Sequence, residues 1–278
     1  MSVKKVGIFY HPLVKATRTK AKELQDFLTS RGITAWLCSA WEGETAGAQL
    51  DDTDLVLSVG GDGTILRSAQ AIVPRMTPII GINLGKLGFM TELSADEAVD
   101  KLPLLLSGEG WIDERAMLQA EFPADGQKTS TCHALNDVVV ARGAIARLVS
   151  VAASIDGKHL TDYKADGVII ATATGSTGYS LAAGGPILYP QSKDFILVPI
   201  LPHLSPAYPL VLPAGTVARL NVTAPQQATL SVDGHINVPL SDGAAITVKQ
   251  SPHRTRFLRI HPEDTFYRSL EQKLKGKR

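Results

Sequence analysis

The sequence predicts two domains of different class. Residues 1–108 read as an α/β domain built on a parallel sheet, residues 109–264 as a β-rich domain, and residues 265–278 as a helix returning to the first. Strand and helix patterns alternate through about residue 106, as in a parallel sheet with right-handed crossovers. At Gly108-Glu109-Gly110 the helical period stops, and from Trp111 to His261 short alternating runs separated by turn dipeptides take over. From Thr265 the pattern is helical again, with Phe266, Leu270 and Leu274 spaced four apart.

Val6 to Tyr10 is a short buried strand, broken by His11-Pro12. Thr19 to Arg31 is a helix with Ala21, Leu24, Phe27 and Leu28 on one face, ended by Gly32 in the C′ position. Ile33 to Leu37 is the second strand. Ser39 to Asp54 is polar and glycine-rich, a loop with room for one short helix. Leu55 to Val59 carries no charge and reads as a strand buried on both faces. After a glycine turn, helix formers run from Thr64 to about Ile72. Pro78 to Asn83 is another buried strand. Ser94 caps a helix over Ala95 to Leu106, with Glu97 closing a capping box. The β-rich region holds runs at Met117–Phe122, Leu148–Val151, Val217–Val222, Thr229–Val232 and Ala245–Val248. Asp156-Gly157, Asp233-Gly234 and Asp242-Gly243 mark turns between runs.

The 278 residues are 44% apolar and 20% charged, enough for a core of useful size. A net charge of +1 points to neither nucleic acid nor membrane. Cys38 and Cys132 lie in no metal-like spacing, which suits a reduced, cytoplasmic chain. No apolar run has membrane-spanning length, and the one within Met1 to Tyr10 is too short for a signal peptide. The basic end from Lys273 to Arg278 reads as a frayed, solvated terminus.

The chemistry concentrates in two clusters. In the first, Gly60-Gly61-Asp62-Gly63-Thr64 joins a buried strand to a helix start. Glycines let a ligand approach the backbone, and N–H groups at a helix start face an anion. Asp62 would repel a phosphate unless it holds a metal or takes a proton from a hydroxyl; the plainer alternative is a helix cap in a tight turn. Gly81 to Met90 is a glycine-rich loop whose spacing misses a P-loop by one residue, with Leu87 where a hydroxyl is required.

In the second cluster, Asn136-Asp137 precedes a buried strand, and Asp162-Tyr163-Lys164-Ala165-Asp166-Gly167 precedes the apolar Val168 to Ala171. That strand runs into Thr172 to Ser180, dense in hydroxyls and glycines, then Leu181-Ala182-Ala183-Gly184-Gly185-Pro186. This is a donor-rich cradle for an anion or a ribose. His133 reads as a packed core histidine, and His203 lies on a proline-bounded edge. Asp233-Gly234 reads as a hairpin turn and nothing more.

Gly60-Gly61-Asp62-Gly63-Thr64, Asn136-Asp137 and Thr174-Gly175-Ser176-Thr177, in this order, resemble the NAD kinase family. Further matching pieces are Asn83-Leu84-Gly85, Leu87-Gly88-Phe89, Ala165-Asp166-Gly167, Gly184-Gly185-Pro186, Pro202-His203 and Asp233-Gly234, so the resemblance spans nearly the whole chain. It implies a Rossmann-like N-terminal α/β domain, a β-sandwich-like C-terminal domain, and NAD held between them. It also implies phosphoryl transfer from ATP, or polyphosphate, to the 2′-hydroxyl of the adenosine ribose, with a divalent cation, expected to be magnesium. Carried over by residue, Asp62 is the general base, and Gly60, Gly61, Gly63 and Thr64 form the phosphate loop. Phe89, Asn136, Asp137, Lys164, Asp166, Thr174, Thr177, Gly178, Tyr179 and Ala182 line the NAD site, Asp166 towards nicotinamide. A homodimer or homotetramer, its pocket completed by shared subunit edges, is expected. The family pattern usually has Glu where Asp137 stands, Pro at Ala173 and Ala at Gly178. Two rivals are a lipid kinase of the same superfamily, which would need an apolar acyl pocket, and a dinucleotide-binding regulator without catalysis.

Overall fold

The computed structural model describes residues 3–85, 88–123, 129–143, 147–223 and 228–275. It forms two compact units, one of residues 1–114 with 255–278, the other of residues 115–254.

The first unit starts with β1 (Lys5–Tyr10), α1 (Lys15–Thr29) and β2 (Thr34–Ser39), followed by a 3₁₀ stretch over Ala40–Ala46, α2 (Gly47–Leu50) and β3 (Leu55–Val59). Next come α3 (Asp62–Ile72), β4 (Ile79–Asn83), the two-residue β5 (Leu93–Ser94), α4 (Ala98–Leu106) and the start of β6 (Trp111–Pro123). Strands β2, β1, β3 and β4 lie side by side in that order, all parallel, as the alternating pattern requires. Beyond β1 the chain turns first to one side for β2 and then to the other for β3, so the topological switch point lies between β1 and β3. In open α/β sheets that is where ligands bind, at the carboxyl ends of the strands. Every residue of β3 and β4 is buried, which explains their uncharged sequences.

Helix α1 begins four residues before the expected Thr19, and the Thr17 hydroxyl in its first turn lies 2.6 and 2.7 Å from the carbonyls of Val14 and His11, which share its one proton. It buries Ala21, Leu24 and Leu28 as expected. Gly32 sits at φ +75°, and the Gly32 and Ile33 N–H groups reach the carbonyls of Thr29 and Leu28 at 3.0 and 3.1 Å, a Schellman end. The predicted loop from Ser39 is instead mostly helical turns, the first capped by the Ser39 hydroxyl. The capping box of Ser94 and Glu97 forms, with the Glu97 N–H 3.3 Å from Ser94 Oγ and the Ser94 N–H 3.1 Å from Glu97 Oε2. Regular helix starts at Ala98 rather than at the expected Ala95, whose N–H bonds the Asn83 carbonyl at the sheet edge.

The second unit is a pair of antiparallel sheets. Its strands are the rest of β6, β7 (Thr129–Ala134), β8 (Asp137–Arg142), β9 (Val149–Ile155), β10 (Lys158–Ala165) and β11 (Gly167–Thr172). After a 3₁₀ turn over Gly175–Thr177 and the short α5 (Tyr179–Ala182) come β12 (Phe195–Ile200), β13 (Leu210–Leu212), β14 (Ala218–Thr223), β15 (Ala228–Val232), β16 (Ile236–Leu240) and β17 (Ala245–Arg259). One sheet runs β13-β12-β11-β8-β15-β16; in the other, β10, β9, β14 and the first part of β17 are neighbours. Alternate residues of both sheets, among them Val138, Val140, Ile170, Val151, Leu220 and Ile246, close one core between them. The other face of β8, β11 and β12 is buried too, with Ala183 and Leu188 packed on it, so Val168 to Ala171 has no polar alternation. Asp156-Gly157 and Asp233-Gly234 have positive φ at both residues, the turns that Asp-Gly pairs favour.

The second part of β17 returns to the first unit, where Phe257 pairs with Ile79 parallel to β4. It leads to α6 (Thr265–Lys275), whose Phe266, Leu270 and Leu274 are half-buried. The last three residues of the basic tail, and Lys86 and Leu87 of the glycine-rich loop, lie outside the described residues. Among the described residues no helix is long and apolar enough to cross a membrane. Both cysteines are free.

Candidate active site

The Gly60-Gly61 turn leaves β3 at the switch point, and α3 starts at Asp62 rather than Thr64. Gly61 is its N-cap residue, and its carbonyl accepts the first helical N–H bonds from Thr64 and Ile65 at 2.9 and 3.3 Å. Asp62 and Gly63 therefore present their N–H groups in the first turn, where an anion is favoured. Thr64 Oγ1 is buried and has no hydrogen-bond partner among the described residues, which suits a site that is completed by a ligand.

Asp62 does not cap its own helix. Its side chain spans to the turn after Gly88, where Oδ2 accepts the Phe89 N–H at 2.9 Å and Oδ1 the Met90 N–H at 3.1 Å. Gly88 is what allows this approach: a Cβ there would lie 2.7 Å from Asp62 Cγ. The Met90 carbonyl in turn accepts Arg259 Nη1 at 2.8 Å, and this buried arginine also meets Glu92 at 3.1 Å and Asp113 at 3.2 Å. Glu92 Oε1 accepts the N–H groups of Ile260 and His261. The carboxylate at the helix start is thus held by a turn that is itself tied to β17. Each Asp62 oxygen still has a lone pair to offer a proton or a cation. Phe89 is half-buried, with Lys273 Nζ 5.8 Å from its ring centre.

In the second unit, Asn136 and Asp137 stand at the start of β8, beside the end of β11. The Asn136 carbonyl accepts the Thr172 N–H at 2.8 Å, and a side chain at Gly175 would collide with the Asn136 backbone. Asn136 Oδ1 is buried without a partner among the described residues. Burial, then the charge of Asp233, pushes the Asp137 carboxyl up to about 7. Burial pushes Asp233 up to about 6 against three N–H bonds that favour its charged form.

The hydroxyl-rich stretch divides its labour. Thr172 Oγ1 donates to the Leu135 carbonyl at 2.6 Å and accepts the Gly175 N–H at 3.0 Å, and Ser176 Oγ donates to the Ala173 carbonyl and accepts the Leu188 N–H. These two hold the turn, so the cradle offers fewer free hydroxyls than its composition suggests. Buried Arg115 donates to Thr174 Oγ1 at 3.2 Å. Thr177 is buried, while Tyr179 is about half exposed and Ala182 exposed.

Lys164 and Asp166 lie elsewhere. Asp166 precedes β11 and pairs with Arg142 Nε at 3.0 Å, at the end of the β8–β11 pair opposite Asp137. The strand between spans on the order of 20 Å, so one chain does not bring Asp166 and Asn136 together. Lys164 is exposed on β10, and its carbonyl accepts the His203 N–H at 2.7 Å. His203 is exposed on the segment after β12, and His133 is half-buried, bonded to Ser251 Oγ at 2.9 Å. The sequence shows Asp233 only as a turn and a piece of the family resemblance, and it gives Arg115 and Arg259 no local pattern beyond a strand.

A glycine turn with a fixed carboxylate at a helix start, placed at the switch point of a parallel sheet, suits a nucleotide-binding phosphotransferase. Residues 11–110 match the ATP-NAD kinase N-terminal domain and residues 135–260 the ATP-NAD kinase C-terminal domain. A NAD kinase of Dehalococcoides mccartyi is 50% identical over 98% of this chain and 96% of its own length, and one of Chloroflexus aurantiacus is 39% identical over 98% and 99%. Among solved structures, yeast NADH kinase complexed with NADH aligns with a TM-score of 0.87 at 26% identity, covering 99% of this chain and 88% of that one. An NAD kinase from Archaeoglobus fulgidus in complex with ATP aligns with a TM-score of 0.80 at 28% identity, covering 98% of both. The chain belongs to the NAD kinase family. It is an enzyme with kinase activity, which sets aside the lipid-kinase and non-catalytic readings.

Proposed function

We propose that the enzyme moves the terminal phosphoryl group of ATP to the 2′-hydroxyl of the adenosine ribose of NAD, giving NADP. The observation that carries the reaction chemistry is Asp62, a carboxylate fixed by two amides at the start of α3. A ribose hydroxyl is a very weak acid and needs such a base within hydrogen-bond reach. Asp62 takes that proton as the oxygen attacks phosphorus. The N–H groups of Gly61 and Gly63 and the hydroxyl of Thr64 stabilise the donor phosphates, with Gly60 giving the close turn. Phe89 lies against adenine. Asn136 and Asp137 bind the nucleotide, and Thr174, Thr177, Gly178, Tyr179 and Ala182 line the adenosine site. The first unit is thus the phosphate-loop domain and the second the NAD-binding domain.

The described residues contain no cluster of three metal-ligating side chains, which fits magnesium brought in on the phosphates with one carboxylate at hand. When bound, the ion would neutralise the donor phosphates, and Asp62 is the residue placed to meet it. The working enzyme is a homodimer or homotetramer, in which Lys164 and Asp166 complete the nicotinamide end of another subunit's pocket. Their strand-length separation from Asn136 within one chain favours this. Two free cysteines fit a reducing compartment, the cytoplasm. Polyphosphate could serve as donor at the same loop.

Purified protein given NAD, ATP and magnesium should form NADP. Asp62→Asn should lower kcat by about two to four orders of magnitude with little change in NAD affinity. Near-normal turnover in that variant would remove Asp62 as the base.

A further inference from the structure

The turn from β7 to β8 has a feature that its own sequence does not supply. Between Ala134 and Asp137 the backbone leaves one strand and enters the next, and the N–H groups of Leu135, Asn136 and Asp137 converge on one point. The carboxylate of Asp233, about a hundred residues further on, fills it: Oδ2 accepts the Leu135 N–H at 2.8 Å, and Oδ1 accepts those of Asn136 and Asp137 at 2.7 and 3.0 Å. The Asp233 N–H returns a bond to the Asp137 carbonyl at 3.0 Å. Asp233 is 6% exposed, so water does not replace these contacts. Successive amides converging in this way form an anion nest, here occupied by the protein's own carboxylate.

We propose that Asp233 is a positioning residue for nucleotide binding, which clamps the Asn136-Asp137 backbone so that the Asn136 side-chain oxygen is preset for its ligand. The proposal rests on the reading of Asn136 and Asp137 as the NAD-binding pair. A hairpin turn alone does not account for Asp233. An Asn would serve an Asp-Gly type turn equally well. It would not serve the nest, because its amide group would set an N–H donor against the Leu135 N–H. Asn136 is fixed from both sides, by Asp233 at its N–H and by Thr172 at its carbonyl, and this is the residue whose Oδ1 is buried without a partner among the described residues. Preorganising one acceptor before the ligand arrives spares the ligand the cost of ordering it.

The test compares wild type, Asp233→Asn and Asp233→Ala by calorimetry with NAD, steady-state kinetics with NAD and ATP, and amide hydrogen exchange. Asp233→Asn should weaken NAD binding about tenfold and Asp233→Ala more, the scale of one and of several lost bonds to a charged group. KM for NAD should rise more than kcat falls, and KM for ATP should hold. The amides of residues 135–137 should exchange faster in both variants while those of Val168 to Ala171 stay protected. A folded Asp233→Asn with wild-type NAD affinity overturns the proposal, as do losses for NAD and ATP that merely track the folded fraction. Should neither variant fold, the wild type decides: its 135–137 amides must already be protected without NAD, and unprotected amides overturn the clamp. Absence of NADP formation by wild type would fail the functional reading instead and leave the exchange result standing.

Discussion

Replacing Gly88 by alanine should disable the enzyme from outside the Gly60–Thr64 turn. A Cβ at residue 88 would lie 2.7 Å from Asp62 Cγ and 2.8 Å from Oδ2. Comfortable contact between carbon atoms begins at about 3.5 Å, so the carboxylate must retreat by roughly 1 Å. Its side chain is short and pinned by the Phe89 and Met90 N–H groups at 2.9 and 3.1 Å, so the retreat stretches or breaks both bonds. A displacement of about 1 Å in a reacting group can cost on the order of 10²-fold in rate. Gly88→Ala should therefore lower kcat about a hundredfold and change the affinity for NAD little, and it should also lower the melting temperature. That stability loss should be about 1–2 kcal/mol, because the partly exposed carboxylate can recover part of its bonding from water. The assay is steady-state NADP formation at saturating NAD and ATP beside a thermal melt. Gly47→Ala is the control, since that glycine is helical and has nothing within 4 Å of an added Cβ. A folded Gly88→Ala enzyme with kcat within about twofold of wild type refutes the placement of Asp62 as base, since a misplaced base should cost far more.

Two further outcomes are expected. Burial raises the Asp137 carboxyl above its unfolded value to about 7, so between about pH 4 and that point the folded chain binds more protons than the unfolded one. Its contribution to stability is then full at the acid end and is lost as pH rises through the window. The melting temperature of wild type relative to Asp137→Asn should fall from pH 4.5 to 7.5, and a constant difference across that range would contradict the shift. Asp166→Asn should raise KM for NAD more than for NADH, because oxidised nicotinamide is cationic. The Arg142 partner at 3.0 Å already offsets much of the charge, so the preference should stay below the roughly fivefold, about 1 kcal/mol, of a bare carboxylate. Equal rises for both ligands would mean that Asp166 does not meet the nicotinamide.

What the amino-acid order determined by itself were the features written in adjacent residues. The uncharged run from Leu55 to Val59 reads as a buried strand, Gly32 as a C′ helix end and Gly60-Gly61 as a turn onto a helix, because each depends mainly on adjacent residues, and the structure has each of them. The change from helix to strand period near residue 108 was legible for the same reason, as were the motifs that carry the family resemblance. Local signals were less decisive at element boundaries: α4 starts at Ala98 rather than Ala95, and the Ser39 to Asp54 stretch coils although its composition reads as loop. The tertiary structure alone decided what the carboxylates do. Asp62 reaches 27 residues along the chain to the Phe89 amide, and Asp233 reaches 98 residues back to the Leu135 amide. It also separated Asp166 from Asn136 by the length of a strand and spent the hydroxyls of Thr172 and Ser176 on their own turn. A side chain's type and neighbours in sequence say which bonds it can make. Which of them it makes depends on the groups that folding brings within about 3 Å, because hydrogen bonds fade beyond that distance.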